Sequence, residues 1–124
     1  MKKGIALFLG TTLLCGMAVF AAPQQEALEY VQQQKIMTGD TTGDLALNRT
    51  VTRAEFAKMI VTALHLSKQA EHGFSDVAAE YWGYKDILAA KQAGIINVYE
   101  DGTFRPEEPV LYEDAVKMVL AAYG

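Results

Sequence analysis

The 124-residue chain has a single cysteine, Cys15, so it can close no disulfide of its own and build no multi-thiolate metal site. Its two histidines, His65 and His72, stand seven apart across a polar connector; neither falls in a metal-ligand spacing or beside a candidate nucleophile. Basic clusters are also missing. Lys and Arg number 11 against 15 Asp and Glu, a net charge of −4, which suits neither nucleic acid nor an anionic membrane surface. The longest apolar run, residues 5–20, is shorter than the roughly 20 residues that span a bilayer. Asp40 and Asp44 around Gly43, and Glu100-Asp101-Gly102, lack the alternating oxygen ligands and terminal Glu of a calcium loop. Asn48-Arg49-Thr50 spells an N-glycosylation acceptor and is read as coincidence. The chain therefore offers no catalytic residues and no metal site, and no cofactor or enzyme activity is expected.

What the chain does contain begins with a leader. Lys2 and Lys3 precede the apolar run, and the small residues Ala21 and Ala22 follow it, the pattern of a secretory signal peptide over residues 1–21. Cleavage after Ala21 fits better than after Ala22, which would leave Pro23 at the scissile bond. Leu14 before Cys15 is not the small residue that precedes a lipid-accepting cysteine. Residues 1–21 hold two lysines and no acid, so the exported remainder carries −6, has no cysteine and is not expected to insert in a membrane. About 100 residues can bury one modest core.

The most informative stretch is Val51–Leu64. Thr52 and Glu55 form the S/T-x-x-E capping box, in which the hydroxyl takes one orphan N–H and the carboxylate reaches back to the cap residue's own N–H. The pattern predicts a helix from Arg53. Phe56, Met59, Ile60, Ala63 and Leu64 follow at i, i+3, i+4, i+7 and i+8, one apolar stripe, so Phe56 and Met59 are expected to be well buried. Arg53 lies off that stripe, where a cation opposes the helix dipole. Read locally it is a solvated arginine, whose truncation should change stability by less than about 0.5 kcal/mol.

Helices are predicted near residues 24–36, 53–66, 81–93 and 111–123, joined by long ordered loops, and the fold class is all-α. Gly94 sits where a helix needs a left-handed C-terminal residue. A shift of 59 residues aligns Ile36-Met37 with Ile95-Ile96, Gly43 with Gly102, Leu45 with Phe104, Val51 with Val110 and Lys58 with Lys117. The chain divides into a partial first unit at 24–66, a connector at 67–73 and a second unit at 74–124.

The second unit resembles the S-layer homology (SLH) domain. The residues that carry the likeness are Phe74, Asp76 and Val77, then Trp82, Gly94-Ile95-Ile96 and Asp101-Gly102-Thr103-Phe104-Arg105-Pro106, with Leu111-Tyr112-Glu113-Asp114 replacing the family's T-R-A-E helix start. The first unit keeps Thr52-Arg53-Ala54-Glu55 but lacks the opening motif, whose register falls on Cys15 and Pro23. The resemblance implies helix-loop-helix repeats packed as a small helical bundle, on a non-catalytic module that anchors exported bacterial proteins to the cell wall. The implied partner is a secondary cell wall polysaccharide, often pyruvylated, or modified peptidoglycan. It nominates Arg53, Asp76 and Trp82 as ligand-binding residues. Each has a structural alternative: a solvated Arg53, an Asp76 that caps the following short helix, a Trp82 in the core. Family members usually carry three copies, so a homo-oligomer is one way to supply what about one and two-thirds copies lack. An SLH fold that has lost its ligand is the competing reading, favoured by the missing opening motif and the altered helix start.

Overall fold

The computed structural model describes residues 22–124, with side chains from residue 24, so the leader lies outside the described residues. Four helices follow in order, α1 Ala22–Gln33, α2 Arg53–Ala63, α3 Tyr84–Gln92 and α4 Tyr112–Tyr123, and no strand forms among the described residues. The all-α expectation holds. The capping box that starts α2 is complete. The Glu55 N–H donates to Thr52 Oγ1 at 3.2 Å, and the Thr52 N–H donates to Glu55 Oε2 at 2.9 Å. At α4 the cap position is Leu111, which has no side-chain oxygen to offer, and no side chain caps that helix.

The buried face of α2 is not the expected stripe. It runs through Arg53, Ala54, Ala57, Ile60 and Val61, while Phe56 and Met59 are only half-buried. Ala54 and Ala57 join Ala89 and Ala90 of α3 in one buried cluster, and small residues on both helices let α2 and α3 pack closely. Alanine contributes little to an apolar stripe read from period alone, so those positions become core only through the packing of the two helices. The α2 helix packs chiefly on α3 and more lightly on α4, and among the described residues α1 packs on none of the other helices.

Loops supply much of the core. Phe74, Val77, Ile95, Ile96 and the fully buried Phe104 come from the second unit's non-helical segments, with the Phe74 and Phe104 rings 5.2 Å apart. The connector is tied to α3 by the Lys91 ammonium, which donates to the carbonyls of His72 and Gly73.

Several backbone hydrogen bonds recur under the shift of 59 residues. The Asp40 N–H donates to Asp44 O as Tyr99 does to Thr103 O, and the Gly43 N–H to Asp40 O as Gly102 does to Tyr99 O. Gly43 and Gly102 share a φ near the left-handed region, 84° and 81°, as do Ala46 and Arg105 at 49° and 60°. The ends of α1 and α3 match as well: Ile36 N–H to Val31 O corresponds to Ile95 N–H to Ala90 O.

The units are joined by the start of α2 docking on the second unit's loop. The Arg53 N–H donates to Glu108 O at 2.9 Å, the Ala54 N–H to Pro106 O at 3.0 Å, and the Val110 N–H returns to Val51 O at 2.9 Å. Orphan amides of the helix end are thereby satisfied by the neighbouring unit.

Candidate ligand-binding cleft

Two of the three nominated residues converge on one place, and it is a turn rather than an open site. Asp76 accepts the Phe104 N–H at 2.8 Å and the Arg105 N–H at 2.7 Å, one on each carboxylate oxygen. The short helix expected after it does not form, so it caps none; the next helix is α3, from Tyr84. Arg53 takes hold of the same residue from the other side, its Nε donating to Phe104 O at 2.8 Å.

The reading of Arg53 as a solvated side chain is overturned. Arg53 is 5 % exposed, its Nη1 donates to Asp114 Oδ2 at 2.7 Å, and its guanidinium lies 4.8 Å from the Tyr99 ring centroid and 4.9 Å from that of Phe104. The reason is tertiary. A cation opposed by its own helix end is stabilised by an acid, a carbonyl and two ring faces of the other unit. A slot of about 160 Å³ remains beside it, lined by Ile95, Tyr99, Asp114 and Lys117 among others.

Trp82 lies elsewhere. It is 54 % exposed, which excludes the core alternative, and its ring rests at 5.2 Å on that of Tyr81. Tyr81 is held from the other end by its hydroxyl, which donates to Glu107 Oε1 at 2.6 Å; burial first and then Glu107 push that phenol above its ordinary range. Gly83, buried, lets the Tyr81 ring fold over it, since a Cβ there would meet Tyr81 Cε1 at 3.1 Å.

Trp82 edges a cleft of about 550 Å³ whose other walls are the first unit's loop, from Ile36 to Leu47, and the half-buried side of α2 at Glu55, Lys58 and Met59. The Lys58 ammonium stands 5.6 Å from the indole centroid, and among the described residues no carboxylate lies within 4.0 Å of it. Burial raises Asp86 from its ordinary value, and the charge of Lys58 opposes that rise. Across the cleft Arg49 grips Glu55 with two bonds, Nη1 to Oε2 at 2.8 Å and Nη2 to Oε1 at 2.6 Å. Asp40 turns one oxygen to its own loop, accepting from the Thr42 hydroxyl and the amides of Thr42 and Asp44, which holds its carboxyl below the usual range. Among the described residues that line the cleft, the cation free to meet an anion is therefore Lys58, beside an exposed indole.

Lys58 was not among the nominated residues. Its signal in the sequence was the alignment with Lys117, a lysine at the same place in both units of a chain poor in basic residues. Among the described residues no group of three or more His, Cys, Asp or Glu could hold a metal ion, and no helix is long and apolar enough to cross a membrane.

Residues 73–116 match the family model described as the S-layer homology domain. Curated relatives extend the similarity over more of the chain. A surface layer protein of Brevibacillus choshinensis is 29 % identical over 108 residues, covering 83 % of this chain and 10 % of the relative. An endo-1,4-beta-xylanase A of Thermoanaerobacterium saccharolyticum is 37 % identical over 92 residues, 73 % of this chain and 8 % of the relative. A cellulosome-anchoring protein of Acetivibrio thermocellus is 29 % identical over 99 residues, 75 % of this chain and 22 % of the relative. The chain spans a small part of the length of each.

Proposed function

We propose, from the S-layer homology domain that this chain carries at residues 73–116, that the protein is a non-catalytic module anchored at the bacterial cell surface. Relatives named as differently as a surface layer protein, a xylanase and a cellulosome-anchoring protein are similar to most of this chain, which supports a role in attachment over one shared reaction. The ligand is a wall polymer, either a secondary cell wall polysaccharide, pyruvylated or otherwise anionic, or modified peptidoglycan.

The observation that carries this reading is the exposed Trp82 beside the unpaired Lys58 at the mouth of the first-unit cleft. An indole face covers the C–H face of a sugar, and a neighbouring ammonium answers a carboxylate or ketal anion. Arg53 and Asp76 act on the ligand indirectly, by shaping the second unit's turn. Purified protein should pellet with wall sacculi and cease to do so once the non-covalent polysaccharide is stripped. Trp82→Ala and Lys58→Ala should each weaken pelleting, the former by about tenfold or more, since truncated aromatic anchors commonly lose over 1 kcal/mol. Equal pelleting before and after stripping would point to peptidoglycan.

One observation favours a second reading, an SLH fold without a ligand: Arg53 and Asp76 are both engaged by Phe104. No pelleting at all, from a protein with an intact melting transition, would select it.

A further inference from the structure

The first-unit cleft and the small slot beside Arg53 are the same site in the two units. Lowered by 59, the slot residues Ile95–Tyr99, Asp114, Lys117 and Met118 become Ile36–Asp40, Glu55, Lys58 and Met59, all of which line the cleft. The second unit's slot receives Arg53 from the start of α2. In the first unit no element among the described residues fills the equivalent place. Raised by 59, the inserting pair Thr52-Arg53 becomes Leu111-Tyr112, which projects from the start of α4 with Leu111 56 % and Tyr112 87 % exposed.

From this we infer that copies of the chain join head to tail, with Leu111 and Tyr112 of one copy seated in the first-unit cleft of the next. The occupant is a second copy because the chain already builds this junction once and leaves both halves of it open. Within the chain the amides of Arg53 and Ala54 donate to the carbonyls of Glu108 and Pro106, and the Val110 amide to the Val51 carbonyl. The counterparts are the amides of Tyr112 and Glu113 with the carbonyls of Arg49 and Leu47, and the Val51 amide with the Val110 carbonyl. Among the described residues none of these six groups has a hydrogen-bond partner.

The side chains have changed together at the two halves. Where the inserting residue is Arg53, the receiving acid Asp114 has no cation of its own and pairs with it. Where the inserting residue is the uncharged Tyr112, the receiving acid Glu55 is already neutralised by Arg49 of its own loop. A ring can enter the cleft, largely apolar at Ile36, Met37 and Leu45, without leaving an acid unpaired. Such a contact is heterologous, giving a ring if the rotation between units closes and a filament if it does not.

The inference does not rest on wall binding, and its test needs no polymer. Sedimentation of the purified protein should show a mass that grows with concentration. Tyr112→Glu, at an exposed position, and Met37→Glu, in the cleft, should each hold the protein at monomer mass with the melting transition retained. Mixed in equal amounts, the two variants should form a heterodimer that grows no further, since each supplies the half the other has lost. A wild-type protein that stays monomeric up to about 1 mM would overturn the proposal. So would self-association that survives Tyr112→Glu, or an association lost in both variants and not recovered on mixing. Should Met37→Glu fail to fold, wild-type protein mixed with Tyr112→Glu decides instead: the variant should cap growing chains and lower the mean mass, and an unchanged mean mass would overturn the proposal.

Discussion

The two loops of the molecule have one backbone and two kinds of support. Both close the same pair of hydrogen bonds, at Asp40–Asp44 and Tyr99–Thr103, and both pass through a left-handed glycine, Gly43 or Gly102. The second loop is held from three further sides. Asp76 takes two of its amides, Arg53 takes its Phe104 carbonyl, and the Phe104 ring is wholly buried. In the first loop Leu45 replaces Phe104 and is only half-buried, and the register of Asp76 falls on Met17, outside the described residues. The backbone of this repeat is thus determined by a few turn residues, while its packing depends on a neighbour. The same difference leaves the first unit with an open cleft and the second with a filled slot.

The largest expected effect breaks the comparison at its two arginines. Arg53→Ala removes a buried guanidinium and leaves Asp114 and the Phe104 carbonyl without their partner. The loss should be about 3 kcal/mol, the low end for a broken buried pair, because Asp114 keeps part of its surface in water. Arg49→Ala removes an ion pair whose arginine is exposed, and solvent screening should leave stability unchanged within the error of a urea titration. Equal losses from the two substitutions would mean that the junction between units does not depend on Arg53.

A smaller effect separates the two helix starts. Thr52→Ala deletes the hydroxyl half of a complete capping box and should lower stability by about 1 kcal/mol. Leu111→Ser adds a hydroxyl to a helix that has no side-chain cap, and should raise stability by about 0.5 kcal/mol, less than a full box because Asp114 at the third position is engaged by Arg53. Thermal unfolding of dilute protein measures both. A loss on Leu111→Ser would show that Leu111 makes an apolar contact worth more than a cap.

Much of this was legible in the sequence because it depends on residues close in the chain. The turn glycines, the Gly94 helix end and the Thr52–Glu55 box rest on offsets of a few residues, and the repeat is legible because its two copies carry such local signals in one register 59 residues apart. The fate of Arg53 was not legible. Its acid lies 61 residues away, and a local argument sees only a cation at the wrong end of a dipole. The burial of α2 was misjudged for a related reason, since alanines become core only when another alanine-bearing helix is brought against them. Trp82 could be nominated but not placed, and Lys58 gained its meaning only when the fold set its ammonium beside the indole.

The smallest expected effect compares the acids that brace the two turns. Asp101 accepts from the Thr103 hydroxyl and amide and from the Arg105 guanidinium, and these hold its carboxyl at about 2, against an ordinary 3.8. Asp40 is lowered by the hydroxyl and amide of Thr42 and the amide of Asp44, with no guanidinium among its partners. A carboxylate depressed in the folded state binds fewer protons than in the unfolded chain, so its contribution is fully present above the unfolded value near 3.8 and is lost as pH falls through the folded one. The melting temperature should therefore fall between about pH 4 and about pH 2, and Asp101→Asn should flatten that fall more than Asp40→Asn does. Both side chains are exposed, so both differences should be small. Added salt at about 1 M, where the Debye length is about 3 Å, should remove the part of the Asp101 effect that comes from Arg105 and bring the two variants together. Equal flattening at low salt would assign the depression to the turn's own donors and leave Arg105 no part in it.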